Sequence, residues 1–172
     1  KSIEDTIGIV SKAAPVLVRV AEKSQVAIGQ ALDAGAEGVI VPLIETDLDA
    51  AAAVSAARFP PEGTRSGGGV RPLGGDFAGY YQSQLRRTVV GVMIETAAGI
   101  ANADEILAVD GVDGCLIGTN DFSLSFGLSP RPVPDTTPMD PRVEEAAAQV
   151  LAAAQRHGKG PGLFTTDAGM AS

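Results

Sequence analysis

The chain holds one cysteine and one histidine in 172 residues, few basic side chains and no long apolar run. Each scarcity excludes something. A single cysteine cannot build a disulfide framework within one chain. Cys115 sits inside an apolar run with nothing cationic close in sequence, so it reads as a buried, inert thiol. His157 lies in the polar stretch Gln155-Arg156-His157-Gly158-Lys159 near a helix end, and reads as a solvated cap rather than a catalytic group. Lysine and arginine number 13 against 21 aspartates and glutamates, a net charge of -8. No stretch concentrates basic residues, which argues against nucleic acid or an anionic membrane as partner. No apolar run approaches the ~20 residues of a membrane span. The amphipathic start, residues 1–10, lacks a signal peptide's apolar segment. These features point to the cytoplasm. Gly67-Gly68-Gly69 matches neither a phosphate loop nor a dinucleotide fingerprint in its strand–turn–helix context. It reads as a flexible connector, with Arg65 and Arg71 as candidate anion contacts.

What is present favours a packed α/β domain. Hydrophobic residues make up 45% and charged residues 20%, enough apolar surface for a core. Helical spacing at Ile3, Ile7 and Val10 predicts a first helix, with Ser2 and Asp5 as a capping box. Val16-Leu17-Val18-Arg19-Val20 reads as a strand, residues 24–34 as a helix closed by Gly35, and Gly38-Val39-Ile40-Val41 as a strand ended by Pro42. Thr46 or Asp47 caps a helix running to Ala57. Residues 59–77, rich in glycine and proline, predict a functional loop or lid. A helix is expected over 76–87, strands at 89–94 and 114–118, and one amphipathic helix over 99–109 between them. A proline-rich connector spans 130–141, a long helix 141–157, and a last strand 162–165. Continuous β-branched runs indicate a parallel sheet buried on both faces. The pattern predicts a (β/α)8 barrel, incomplete at both ends, as a single domain over 1–172. A complete doubly wound sheet of five strands is the alternative.

Two acids mark the place where chemistry is expected. Glu95 follows the run Val89 to Ile94, and Asp121 follows Gly114 to Gly118, one βα period later. Parallel strands deliver both to the same edge of the sheet, the edge where ligands bind. Two carboxylates converging there can hold a hard divalent cation. Taken singly, Glu95 could open a helix and Asp121 could be a plain N-cap. Arg19 lies at a third strand end, where an unpaired cation is costly. It fits a substrate carboxylate or an oxyanion, or else a structural ion pair. Asn120 to Ser123 present backbone N–H groups at a helix start, a seat for an anionic oxygen. Asp33, taken on sequence alone, is a surface or turn acid.

Three stretches resemble the HpcH/HpaI aldolases, metal-dependent class II pyruvate aldolases. The first is Val16-Leu17-Val18-Arg19-Val20. The second is Ala31-Leu32-Asp33-Ala34-Gly35-Ala36-Glu37-Gly38-Val39-Ile40-Val41-Pro42, with the turn Phe59-Pro60-Pro61-Glu62-Gly63-Thr64-Arg65 after it. The third runs from Ile94-Glu95-Thr96-Ala97-Ala98-Gly99 to Ile117-Gly118-Thr119-Asn120-Asp121-Phe122-Ser123. The resemblance implies a TIM barrel that cleaves 4-hydroxy-2-keto acids to pyruvate and an aldehyde. It implies Glu95 and Asp121 as ligands of Mg2+ or Mn2+, with Co2+ also suited, and Arg19 on the substrate's keto oxygen. Asn120 and Asp121 would complete the substrate contacts, and Asp33 would support proton transfer. A small 2-keto acid is the implied partner, and a homo-oligomer, a hexamer, the implied assembly. Two departures stand out. The family's Glu-His pair on an earlier strand has no counterpart here, and Met93 stands where the family often has glutamine. A citrate-lyase-β-like lyase of acyl-CoA thioesters is a second reading, though it should carry more basic contacts. A non-catalytic barrel fragment is a third.

Overall fold

The computed structural model of the chain describes residues 2–67, 76–129 and 139–163, apart from the side chains of 84–87. Gly68, Gly69 and Arg71 of the glycine-rich loop, most of the 130–141 connector, and Phe164 and Thr165 lie outside the described residues.

The elements run α1 (Ile3–Val10), β1 (Leu17–Arg19), α2 (Gln25–Asp33), β2 (Gly38–Val41), α3 (Asp47–Ala57), α4 (Phe77–Arg87), β3 (Val89–Ile94), α5 (Ala97–Ala101), α6 (Ala103–Ala108), β4 (Gly114–Ile117), α7 (Thr119–Ser125), α8 (Pro141–Arg156) and β5 (Gly160–Leu163). Local chemistry sets most boundaries. Ser2 and Asp5 form the expected reciprocal capping box, and Ser24 and Thr46 cap α2 and α3 through their hydroxyls. Gly35 ends the α2 region with φ 101°, a conformation that excludes most side chains. Asp140 caps α8 and Pro141 occupies its first turn. The helix expected over 99–109 is instead two, α5 and α6. They part at Asn102, whose side-chain amide donates to the Glu45 carbonyl at 2.8 Å. A bond to a residue so distant in sequence leaves no periodic trace. The last strand begins at Gly160, earlier than expected, because Gly-Pro-Gly carries no strand signal. Pro161 is tolerated there since β5 pairs only with β4 on the described sheet.

All five strands are parallel and lie in sequence order, β1-β2-β3-β4-β5. A doubly wound sheet reverses its strand order at a switch point. This one does not, so the winding is that of a barrel. Register aligns Val18 with Val39 and Val90, Val41 with Val92 and Cys115, and Ile94 with Ile117. All these side chains are buried, and α2, α3, α6 and α8 pack beside one another over them. The opposite face carries Arg19, Ile40, Gly91, Gly114 and Gly160 in one row and Met93, Leu116 and Gly162 in the next. Among the described residues, no helix is long and apolar enough to cross a membrane.

Outside the sheet, Arg65 ties the end of α2 to α4 and the Phe59 turn. Its side chain is 2% exposed and reaches Asp33 at 3.0 Å and the Tyr80 hydroxyl at 2.8 Å, both through Nη2. Nε and Nη1 have no hydrogen-bond acceptor. The guanidinium lies 4.6 Å over the Phe59 ring and 5.6 Å over Tyr80, so the aromatic faces take the place of acceptors. Arg65→Met keeps the bulk and removes the charge and both bonds. It is expected to lower stability by about 2–3 kcal/mol, read as a shift in urea midpoint at constant slope. An unchanged midpoint would show that the cluster is idle.

Candidate metal and substrate site

Glu95 is the first residue past β3, on the face that carries Met93, and is 2% exposed. Two pieces of backbone shape its surroundings. The first is the turn after β2. Pro42 ends the strand, and the buried Ile44 donates its N–H to the Met93 carbonyl at 3.2 Å. Leu43, between them, is forced to φ 54°, the left-handed region that a leucine avoids. The Leu43 N–H donates to Glu95 Oε1 at 2.8 Å, while the leucine side chain stays 50% exposed. The second piece is Gly118, the residue after β4 and the N-cap position of α7. It stands opposite Glu95 because Met93 aligns with Leu116. A side chain built on Gly118 would place its Cβ 2.7 Å from Glu95 Cβ and 2.8 Å from Oε2. The carboxylate therefore lies across a position that only glycine leaves open.

Glu95 Oε2 is buried and has no hydrogen-bond partner. Burial is the main influence on the Glu95 carboxyl and pushes its pKa up. The Leu43 amide pulls it down, the Asp121 charge raises it, and the Arg19 charge lowers it. Asp121, in the first turn of α7, and Arg19 both lie near enough for their charges to act on the Glu95 carboxyl. Asp121 is not the N-cap of α7, a place taken by Gly118. Asn120 and Asp121 are both exposed, and the first intrahelical bond of α7 is made by the Phe122 N–H. The amides of residues 119–121 are thus left out of the helix ladder.

An orphaned carboxylate oxygen, out of water and beside a second carboxylate, is the arrangement a hard divalent cation satisfies. The residues fit the ion. Among the described residues, no three His, Cys, Asp or Glu side chains form a metal cluster. Two protein carboxylates leave the remaining positions of an octahedral ion to water and substrate oxygens.

Other candidates lie elsewhere. Asp33 ends α2, at the opposite edge of the sheet from Glu95, where it pairs with Arg65. It and Arg19 line one cavity of about 760 Å³ beside β1. Arg65 meets a carboxylate of the chain rather than a free anion. His157 terminates α8 and faces Asp104 at 3.2 Å. Cys115 is buried, and burial alone pushes its thiol pKa up to about 11. Leu43 and Gly118 do not stand out in the sequence as functional positions. A proline-bounded turn and a glycine opposite an acid are the signals that mark them.

A family model described as HpcH/HpaI aldolase/citrate lyase matches residues 3–168. A 4-hydroxy-2-oxovalerate aldolase of Rhodococcus jostii is 37% identical over 149 residues, covering 86% of this chain and 55% of its own. A hydroxypyruvate/pyruvate aldolase of Rhizorhabdus wittichii is 43% identical over 141 residues, covering 81% and 54%. The chain thus spans about half the length of these curated relatives. A crystal structure of an HpcH/HpaI aldolase/citrate lyase family protein from Burkholderia cenocepacia superposes with TM-score 0.86 at 32% identity, over 98% of this chain and 66% of that one.

Proposed function

Because the chain belongs to the HpcH/HpaI aldolase/citrate lyase family, we propose that it forms the catalytic arc of a divalent-metal-dependent aldolase. The substrate would be a 4-hydroxy-2-keto acid and the products pyruvate and an aldehyde. One observation carries this reading: a buried, unpartnered oxygen on Glu95, a carboxylate on which the charges of Asp121 and Arg19 both act.

Glu95 and Asp121 would hold the ion. Bound there, Mg2+, Mn2+ or Co2+ would supply a Lewis acid and a template for the keto and carboxylate oxygens of the substrate. Arg19 would direct its planar guanidinium at the keto oxygen and stabilise the negative charge that develops as the C3–C4 bond breaks. The free amides of Asn120 and Asp121 would seat the substrate carboxylate. Leu43, exposed in its left-handed turn, would form an apolar margin to the same opening. Family likeness further suggests a cytoplasmic homo-oligomer, a hexamer.

The test is pyruvate release by the full-length protein from 4-hydroxy-2-oxovalerate, with and without EDTA, run beside an acyl-CoA thioester such as citramalyl-CoA. Turnover of the keto acid that EDTA abolishes and Mn2+ restores is the expected result. Cleavage of the thioester alone would transfer the site to the citrate-lyase side of the family, and no turnover of either would leave a non-catalytic barrel. The ion should also act on the fold. At about one hundred times its Kd, a ligand that binds only the native state adds about 2.7 kcal/mol. The melting temperature is therefore expected to rise by several degrees when Mn2+ replaces EDTA. No rise at millimolar Mn2+ would remove the metal from the site.

A further inference from the structure

The geometry points to a division of labour within one carboxylate: Glu95 gives the ion a single oxygen, Oε2, because the Leu43 amide holds Oε1 and the bare Cα of Gly118 leaves the path of Oε2 open. This inference rests on the metal-binding reading of the site and makes Gly118 and the Leu43 amide positioning elements.

Three observations combine. Oε1 already has a short backbone bond at 2.8 Å, made by a residue held at φ 54°. A left-handed leucine is strained, and such strain persists where surrounding structure imposes it. Pro42 and the buried Ile44 impose it here. Oε2 has no partner although it is buried. Finally, Gly118 is not glycine for its own backbone, since its φ is -93° and any residue could adopt it. Its side chain is excluded by Glu95 itself, at 2.7 and 2.8 Å. A methyl group there would meet the Cβ of the acid, not the far end of a flexible chain, so rotation about the outer bonds of Glu95 could not relieve the contact. The carboxylate would have to move as a whole, away from Asp121 or off the Leu43 amide. Partners that orient a metal ligand commonly set affinity by 10–100-fold.

The experiment measures Mn2+ affinity by titration calorimetry of the full-length protein, apart from any turnover. Wild type should bind and Glu95→Gln should not; failure of this pair overturns the metal reading itself. Given that pair, Gly118→Ala is expected to weaken Mn2+ by about 10–100-fold while its circular dichroism stays native. A Gly118→Ala protein that binds like wild type would overturn the inference while the metal site stands. Should that variant fail to fold, replacing the Leu43 amide by an ester removes the N–H alone. It should weaken Mn2+ by a similar factor, and unchanged affinity would overturn the inference. A Mn2+-bound crystal structure decides the stoichiometry of oxygens. Oε2 on the ion with Oε1 still on Leu43 is expected, and bidentate coordination by Glu95 would refute the division.

Discussion

Glu95→Gln is expected to give a protein that folds, resists heat at least as well as wild type without metal, and has lost its turnover. Glutamine keeps the shape and can still accept from the Leu43 N–H through its carbonyl oxygen. Its NH2 would then face Asp121, turning a repulsion into a hydrogen bond. The stability argument follows from protonation. Burial raises the Glu95 pKa, and a carboxyl whose pKa is raised on folding contributes stability while protonated. That contribution is lost as pH rises through the raised value, so at neutral pH the metal-free protein carries the cost of a buried charge. Glutamine carries none. Loss of a ligand to a Lewis-acid ion worth several kcal/mol should lower kcat/KM by about three orders of magnitude or more. Asp121→Asn should fall as far, with less gain in heat resistance because Asp121 is exposed. The deciding measurements are a melting curve in EDTA and a steady-state rate in Mn2+. Glu95→Gln with near-wild-type turnover would end the proposed chemistry, and a variant that melts well below wild type would show that the carboxylate serves the fold.

Arg19 should fail differently. It sits at the end of β1 on the same face as Glu95 and acts on it through charge. Removing a group that stabilises developing charge typically costs about 10²–10³ in kcat. Arg19→Ala is expected in that range, with Mn2+ affinity changed only a few-fold. Arg19→Lys keeps the charge but not the planar fork, and should recover part of the rate while KM for the keto acid stays raised. The contrast matters more than either number. If Arg19→Ala lost Mn2+ as completely as Glu95→Gln, its guanidinium would be a structural counter-ion of the carboxylates. If it kept its kcat, it would have no part in the reaction.

Much of this arrangement is legible in the residues alone. Strands β1 to β4 announce themselves as apolar runs, and parallel register then obliges Glu95 and Asp121 to leave the sheet at one edge. The caps at Ser2, Ser24 and Thr46 are local and readable for that reason. What the sequence hides depends on partners far along the chain. The Asn102 amide finds the Glu45 carbonyl 57 residues away and splits a helix. Arg65 finds Asp33 32 residues away and takes up its carboxylate. Glu95 finds the Leu43 amide 52 residues away. No period or motif encodes such meetings. The role of Gly118 is hidden for a related reason, since a glycine between strand and helix usually signals a turn, whereas this one signals a neighbour's bulk.

Gly91 and Gly114, adjacent in the row that begins with Arg19, look interchangeable by sequence and are not. A methyl group on Gly114 would strike the backbone carbonyl of Gly160, so that position is locked by the sheet. On Gly91 it would meet nothing nearer than Ile40 Cγ1 at 3.5 Å, an ordinary contact. The sheet face below Glu95 thus holds one blank tile that selection or an engineer can fill without disturbing the masonry. Alanine at residue 91 should leave the urea midpoint near wild type, while alanine at residue 114 should lower it.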